Sequence, residues 1–173
     1  MLFKILIAGD GGQGVQTMAE IISKAAFQNN KHVSFVPNYG LEQRGGASLA
    51  FIQISDRDIV YPKFSKPDIL VLMSEQARER AKLYCDELRI ENKELRVYNL
   101  NDFAATIEAQ NIKPFSHNIF LLGVLALVLG QKEICEKEKV FELLEKKISQ
   151  KPGWEDNKKA FAAGEDCFLM ASR

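Results

Sequence analysis

Three cysteines and two histidines are all that the chain offers to a soft metal or a redox centre. Cys85, Cys135 and Cys167 lie 50 and 32 positions apart, no CxxC occurs, and His32 and His117 stand alone. Zinc and iron–sulfur sites take four closely disposed ligands, usually paired in sequence. A self-contained metal site is therefore excluded, and the thiols read as reduced and mostly structural. Neither charge is in excess: 23 Lys and Arg balance 23 Asp and Glu. That argues against a dedicated binder of nucleic acid or anionic membrane, because both need a positive surplus. The longest wholly apolar run, Ile119 to Leu129, has 11 residues, where a membrane-spanning helix needs about 20. The opening MLFKILIAGDGG carries no basic leader followed by a long apolar region. The expectation is a cytoplasmic protein with no membrane span. Repeats and low-complexity tracts are missing too, and a 46% hydrophobic content excludes disorder.

What is present reads as one α/β domain over residues 1–173. Leu2 to Ala8 is almost continuously apolar, as a strand covered on both faces would be. It runs into Gly9-Asp10-Gly11-Gly12-Gln13-Gly14, and Val15 to Ala26 then shows helical spacing. Further strands are expected at His32–Val36, Ser48–Ser55, Ile69–Met73 and Leu95–Leu100. The second and third are joined by a connection too short for a crossover helix, so they should run antiparallel. Leu49 and Phe51 alternate with outward positions, which predicts a half-covered third strand. Ser74 is placed to cap a helix over Ala77–Leu83. Helical patterns follow over Asp102–Gln110, His117–Leu129, Glu136–Ser149 and Trp154–Met170. The predicted fold is a three-layer α/β/α domain with a mixed, mostly parallel sheet.

The glycine loop fits G-x-G-x-x-G at Gly9, Gly11 and Gly14, a pattern that cradles phosphates at a helix N-terminus. A dinucleotide site also wants an acidic residue at the end of the second strand. That strand ends Phe35-Val36-Pro37-Asn38, and Asp10 inside the loop would repel a pyrophosphate. Nor does the Gly-Lys-Ser/Thr ending of a Walker motif occur. A tight strand–helix turn built for packing weighs at least equally with anion binding. Arg44-Gly45-Gly46 can clamp a carboxylate or phosphate beside a yielding backbone; a salt bridge to Glu42 is the equal alternative. His117 has no Ser, Cys or Asp partner specified by spacing, so no catalytic set is assigned. Glu142–Lys146 marks a solvated helix face, and Phe115, Phe120, Phe141, Phe161 and Phe168 fill a core or an interface.

Five blocks together carry a resemblance: GDGGQGV (Gly9–Val15), PNYGLEQRGG (Pro37–Gly46), PDILVLMS (Pro67–Ser74), HNIFLLG (His117–Gly123) and NKKAFAAG (Asn157–Gly164). In order and over nearly the whole chain, they resemble the gamma subunit, or gamma-type domain, of 2-oxoacid:ferredoxin (or other acceptor) oxidoreductases. The wording at Tyr39–Gly46 is closest to the 2-oxoglutarate type, with pyruvate and indolepyruvate types, or a free-standing nucleotide-binding module, as alternatives. The resemblance implies CoA-dependent oxidative decarboxylation of a 2-oxoacid by a complex in which this chain alone is inactive. It implies thiamine diphosphate, Mg, iron–sulfur clusters and CoA in the complex, none bound by this chain alone. It implies alpha, beta and delta subunits as partners and ferredoxin or flavodoxin as acceptor. The cofactor-binding or interface residues so implied are Gly11, Gly12, Gln13, Gly14, Tyr39, Arg44, Gly45, Gly46 and Asn118. Asp10 departs from the family's usual wording, which has an apolar or small residue there.

Overall fold

The computed structural model describes residues 1–39, 46–84 and 95–171. Its centre is β1 (Leu2–Asp10), whose apolar residues are divided between two cores. Ile5 and Ile7 point to one face of the sheet, and Leu6 and Ala8 to the other, as the two-residue period of a strand requires. After α1 (Val15–Gln28) the chain forms β2 (His32–Tyr39) and β3 (Ala47–Ser55). β4 (Ile69–Leu72), α2 (Glu75–Ala81) and β5 (Arg96–Asn99) follow, then α3 (Ala104–Ala109), α4 (His117–Gln131), α5 (Lys137–Ile148) and α6 (Trp154–Ala171).

The sheet order is β2-β3-β1-β4-β5. β3 runs antiparallel to both β1 and β2, as the short connection from β2 demanded. β4 is parallel to β1, and β5 to β4. The sheet is thus mixed, as expected: four of its five strands point the same way and β3 alone runs against them. Its antiparallel ladders have nine and eight residue pairs, whereas each parallel ladder has only four. The long hairpin arm β3 outweighs the short strands that arrive by crossover.

β3 also differs from the half-covered strand expected, because all nine of its residues are buried. Ala50, Ile52 and Ile54 join the core under α1, while Leu49 and Phe51 join the core under α2. The chain just after β3 covers that second face. Phe64 meets Phe51 edge-on at 5.4 Å, and the Gln53 side-chain amide donates to the carbonyl of Tyr61. Gln53, in phase with Leu49 and Phe51, is thus bonded beneath a loop.

On the larger face α1 lies on the sheet, and α4, α5 and α6 extend the same core. α4 is apolar all round and buries ten of its residues, as a helix surrounded by protein must. By length and composition Pro114–Gln131 could cross a membrane, yet 67% of it is buried within the fold. Cys135, just beyond α4, is buried in this core, and burial pushes its thiol up to about 12. Such a thiol stays protonated and behaves as a small apolar group. Cys85 lies outside the described residues.

α4 and α6 approach until their backbones touch. A Cβ on Gly123 would lie 2.2 Å from the carbonyl oxygen of Phe161, and one on Gly164 would lie 2.1 Å from that of Phe120. Nearby, the fully buried Ser116 hydroxyl donates to Oδ1 of Asn157 on α6 at 2.8 Å, which satisfies both groups away from water. Phe120 and Phe161 fill the core, with Phe141 and Phe168 packed against it. Phe115 is not part of this core: it is 58% exposed. On α5 the anticipated Glu142–Lys146 pair forms, and Lys146, then Lys139, hold the Glu142 carboxyl below its usual range.

Candidate functional site

β1, β4 and β5 point the same way, so Asp10, Met73 and Leu100 all lie at one end of the sheet. From β1 the chain first builds outward to β2 on one side, and later to β4 and β5 on the other. The glycine loop therefore sits where strand order reverses, the usual place for ligand crevices in open α/β sheets.

Backbone geometry explains its glycines. Gly12 has φ +93° and Gly14 φ +78°, conformations that L side chains rarely adopt. Gly14 is the N-cap of α1 and has no side-chain cap bond. A Cβ on Gly9 would collide with Val15 at 2.7 Å and with the Gln13 side chain at 2.9 Å. Packing and turn geometry thus account for all three.

The loop's N–H groups are largely committed within the chain. Asp10 N–H donates to Gln13 Oε1 at 2.7 Å, Gln13 N–H to the Asp10 carbonyl at 3.1 Å, and Gly11 N–H to the Gly46 carbonyl at 2.9 Å. A phosphate cradle would need such donors turned toward the ligand. Asp10 has another task than repelling anions: its carboxylate accepts from the Ser74 hydroxyl at 2.6 Å. Ser74 is also the expected cap of α2, its oxygen accepting from Ala77 N–H at 3.0 Å.

The Gly11–Gly46 bond has a further consequence: it joins the ends of two separate glycine motifs into one face. Gly11 and Gly12 are exposed there. Tyr39 ends β2 opposite Ser48 of β3. Arg44 and Gly45 lie outside the described residues. Asn118 is brought to the same place, because a Cβ on Gly14 would come within 2.2 Å of its Nδ2. Between the glycine loop, Met73, Leu100 and the start of α4 lies a cavity of about 200 Å³, with Phe115, His117 and Asn118 along one wall. Of the nine candidate positions, Gly11, Gly12, Gln13, Gly14, Gly46 and Asn118 therefore converge.

Reasoning from residue spacing missed Gln16, whose side-chain amide donates to Ser48 Oγ and to the Leu49 carbonyl, both at 2.9 Å. It pins the first turn of α1 to β3 beside the second motif. No periodic signal marks such a contact. Among the described residues, no group of three or more His, Cys, Asp or Glu could hold a metal.

The two glycines with positive φ should respond differently to alanine. At Gly12 nothing lies within 4 Å of the new methyl, so only backbone strain of about 1 kcal/mol is expected. At Gly14 the strain is joined by displacement of Asn118, for about 2–3 kcal/mol in all. Thermal melts of the two variants, with the Asn118 side-chain amide followed by NMR, check this. Equal losses, or an unmoved Asn118, would contradict the packing described.

Fold and site together define a glycine-loop α/β domain with a mixed sheet. The chain belongs to the pyruvate ferredoxin/flavodoxin oxidoreductase family, whose profile matches residues 4–167. It is 34% identical to the 2-oxoglutarate synthase subunit KorC of Methanothermobacter thermautotrophicus, over 98% of this chain and 97% of that one. With the KorC subunit of Archaeoglobus fulgidus it shares 30% identity over 92% of this chain and 84% of the other. In fold it resembles the gamma subunit of a keto/oxoacid ferredoxin oxidoreductase from Geobacter sulfurreducens, with TM-score 0.71 and 21% identity. That match covers 99% of this chain and 98% of the other. A further neighbour in fold is the 2-oxoglutarate:ferredoxin oxidoreductase of Magnetococcus marinus, with TM-score 0.79 and 17% identity, covering 98% of this chain and 31% of that one.

Proposed function

We propose that this chain is the gamma subunit of a 2-oxoglutarate-type 2-oxoacid:ferredoxin oxidoreductase, acting over residues 1–173 as one gamma-type domain. The observation that carries the reading is the match to a 2-oxoglutarate synthase subunit along 98% of the chain, through both glycine motifs. The complex would decarboxylate the 2-oxoacid, release CO2, pass two electrons to ferredoxin or flavodoxin and deliver the acyl group to CoA. Thiamine diphosphate, Mg and iron–sulfur clusters belong on alpha, beta and delta subunits in this reading. The described residues of this chain supply no matching ligand set.

This chain's contribution is a shaped face. Gly11–Gly14, Gly46 and Asn118 form a rigid surface with exposed backbone, against which a partner subunit or CoA can approach closely. Tyr39, Arg44 and Gly45 adjoin it in sequence and are proposed to complete it, the guanidinium suiting a carboxylate or a CoA phosphate. Arg44→Ala is expected to leave the subunit's Tm nearly unchanged while weakening assembly or raising the KM for CoA. A large drop in Tm with unaltered kinetics would make Arg44 an internal brace.

Substrate class is tested by purifying the native complex through this subunit and assaying 2-oxoglutarate, pyruvate, 2-oxoisovalerate and indolepyruvate with CoA and a viologen acceptor. The highest kcat/KM is expected for 2-oxoglutarate. A preference for another 2-oxoacid would reassign the subtype.

A further inference from the structure

The exposed turn Gly11-Gly12 contains or adjoins two positive-φ glycines and carries no side chain that could anchor it. Its conformation must be imposed by neighbours. Among the described residues, the hydrogen bonds that do so include Gly11 N–H to the Gly46 carbonyl, Asp10 N–H to Gln13 Oε1, and the Ser74 hydroxyl to Asp10 Oδ1. The first two stay within the loop and its sheet neighbour. The third bridges residues 64 apart in sequence and ties the end of β1 to the start of α2. At 2.6 Å, with a carboxylate as acceptor, it belongs to the stronger, charge-assisted class. Ser74 thus serves two elements at once, donating to the loop while its oxygen accepts from Ala77 N–H.

We propose that Asp10 and Ser74 are a positioning pair for the glycine loop, holding Gly11 and Gly12 in the conformation that the partner or CoA meets. Neither residue touches the reacting groups; both act through the loop backbone. The inference rests on the reading of that face given above, and its test separates the two. Replacing Ser74 by Asp or by Asn preserves the α2 cap, since Ser, Asp and Asn are about equally good N-caps. Asn keeps a donor for Asp10, whereas Asp has none and places two carboxylates together. The cap is therefore constant, and only the bond to Asp10 changes.

In the full-length subunit, Ser74→Asp should shift the Gly11–Gly14 amide resonances. It should also speed exchange of the Gly11 N–H about tenfold, the factor expected for loss of one such hydrogen bond. Ser74→Asn should stay within about twofold of the native rate by the same reasoning. The double variant Ser74→Asp, Asp10→Asn restores a donor–acceptor pair with the cap intact, and should return exchange toward native. In the assembled enzyme, Ser74→Asp should raise the KM for CoA or weaken assembly while kcat of the complex that forms is kept. Loop amides indifferent to Ser74→Asp, or no recovery in the double variant, would overturn the proposal. Perturbed amides with unchanged assembly and CoA kinetics would support the pair and defeat the reading of the face.

Discussion

Gly164→Ala and Gly123→Ala are each expected to destabilise the subunit by about 3 kcal/mol, the upper end of overpacking costs. The added methyl at 164 would lie 2.1 Å from a backbone carbonyl oxygen, and at 123 it would lie 2.2 Å from one. Neither obstacle is a flexible side chain that could swing aside. α4 and α6 must part by roughly 1 Å, in a core too tightly packed to absorb it. The parting would also stretch the buried hydrogen bond from Ser116, at the start of α4, to Asn157 of α6. For a chain of 173 residues, a loss of that size lowers Tm by roughly 6–12 °C. Differential scanning calorimetry of the purified variants measures it. A fall of only a degree or two at both positions would mean that the helices are not in backbone contact.

The second large effect is all-or-none. The isolated, folded subunit is expected to be colourless and to form no acyl-CoA from pyruvate, 2-oxoglutarate or indolepyruvate with CoA. The motivation is chemical. No CxxC pair occurs, no Ser, Cys or Asp partner of His117 is specified by spacing, and the described residues hold no cluster of metal ligands. Calorimetry should likewise detect no binding of NAD, NADP or FAD, because the N–H groups of Asp10, Gly11 and Gln13 are spent inside the chain. Turnover by the verified pure subunit would overturn that reading, and saturable micromolar binding of a dinucleotide would favour the free-standing nucleotide-binding module instead.

Local pattern carried much of this fold, and long-range pairing carried the rest. The strand–loop–helix opening and the four C-terminal helical stretches were readable because apolar spacing differs between periods of 2 and 3.6. The antiparallel return of β3 followed from a connection too short for anything else. The full burial of β3 was not readable, since the chain covering Phe51 and Gln53 has no periodic signature. Gly123 and Gly164 stood out as parts of familiar blocks, but their reciprocal fit against Phe161 and Phe120 belongs to helix crossing rather than to either segment. Asp10 is the sharpest case. Beside glycines it reads as hostile to phosphate, yet its carboxylate is committed to Ser74, a partner that no spacing rule connects to it.

The central claim is that a face built on the two glycine motifs completes a 2-oxoacid:ferredoxin oxidoreductase. The most direct measurement is an add-back assay: 2-oxoglutarate- and CoA-dependent viologen reduction by the partner subunits, with and without this chain. The account predicts that the chain co-elutes with its partners and that acyl-CoA formation depends on its presence. Equal rates without it, or a chain that does not join the complex, would contradict the account.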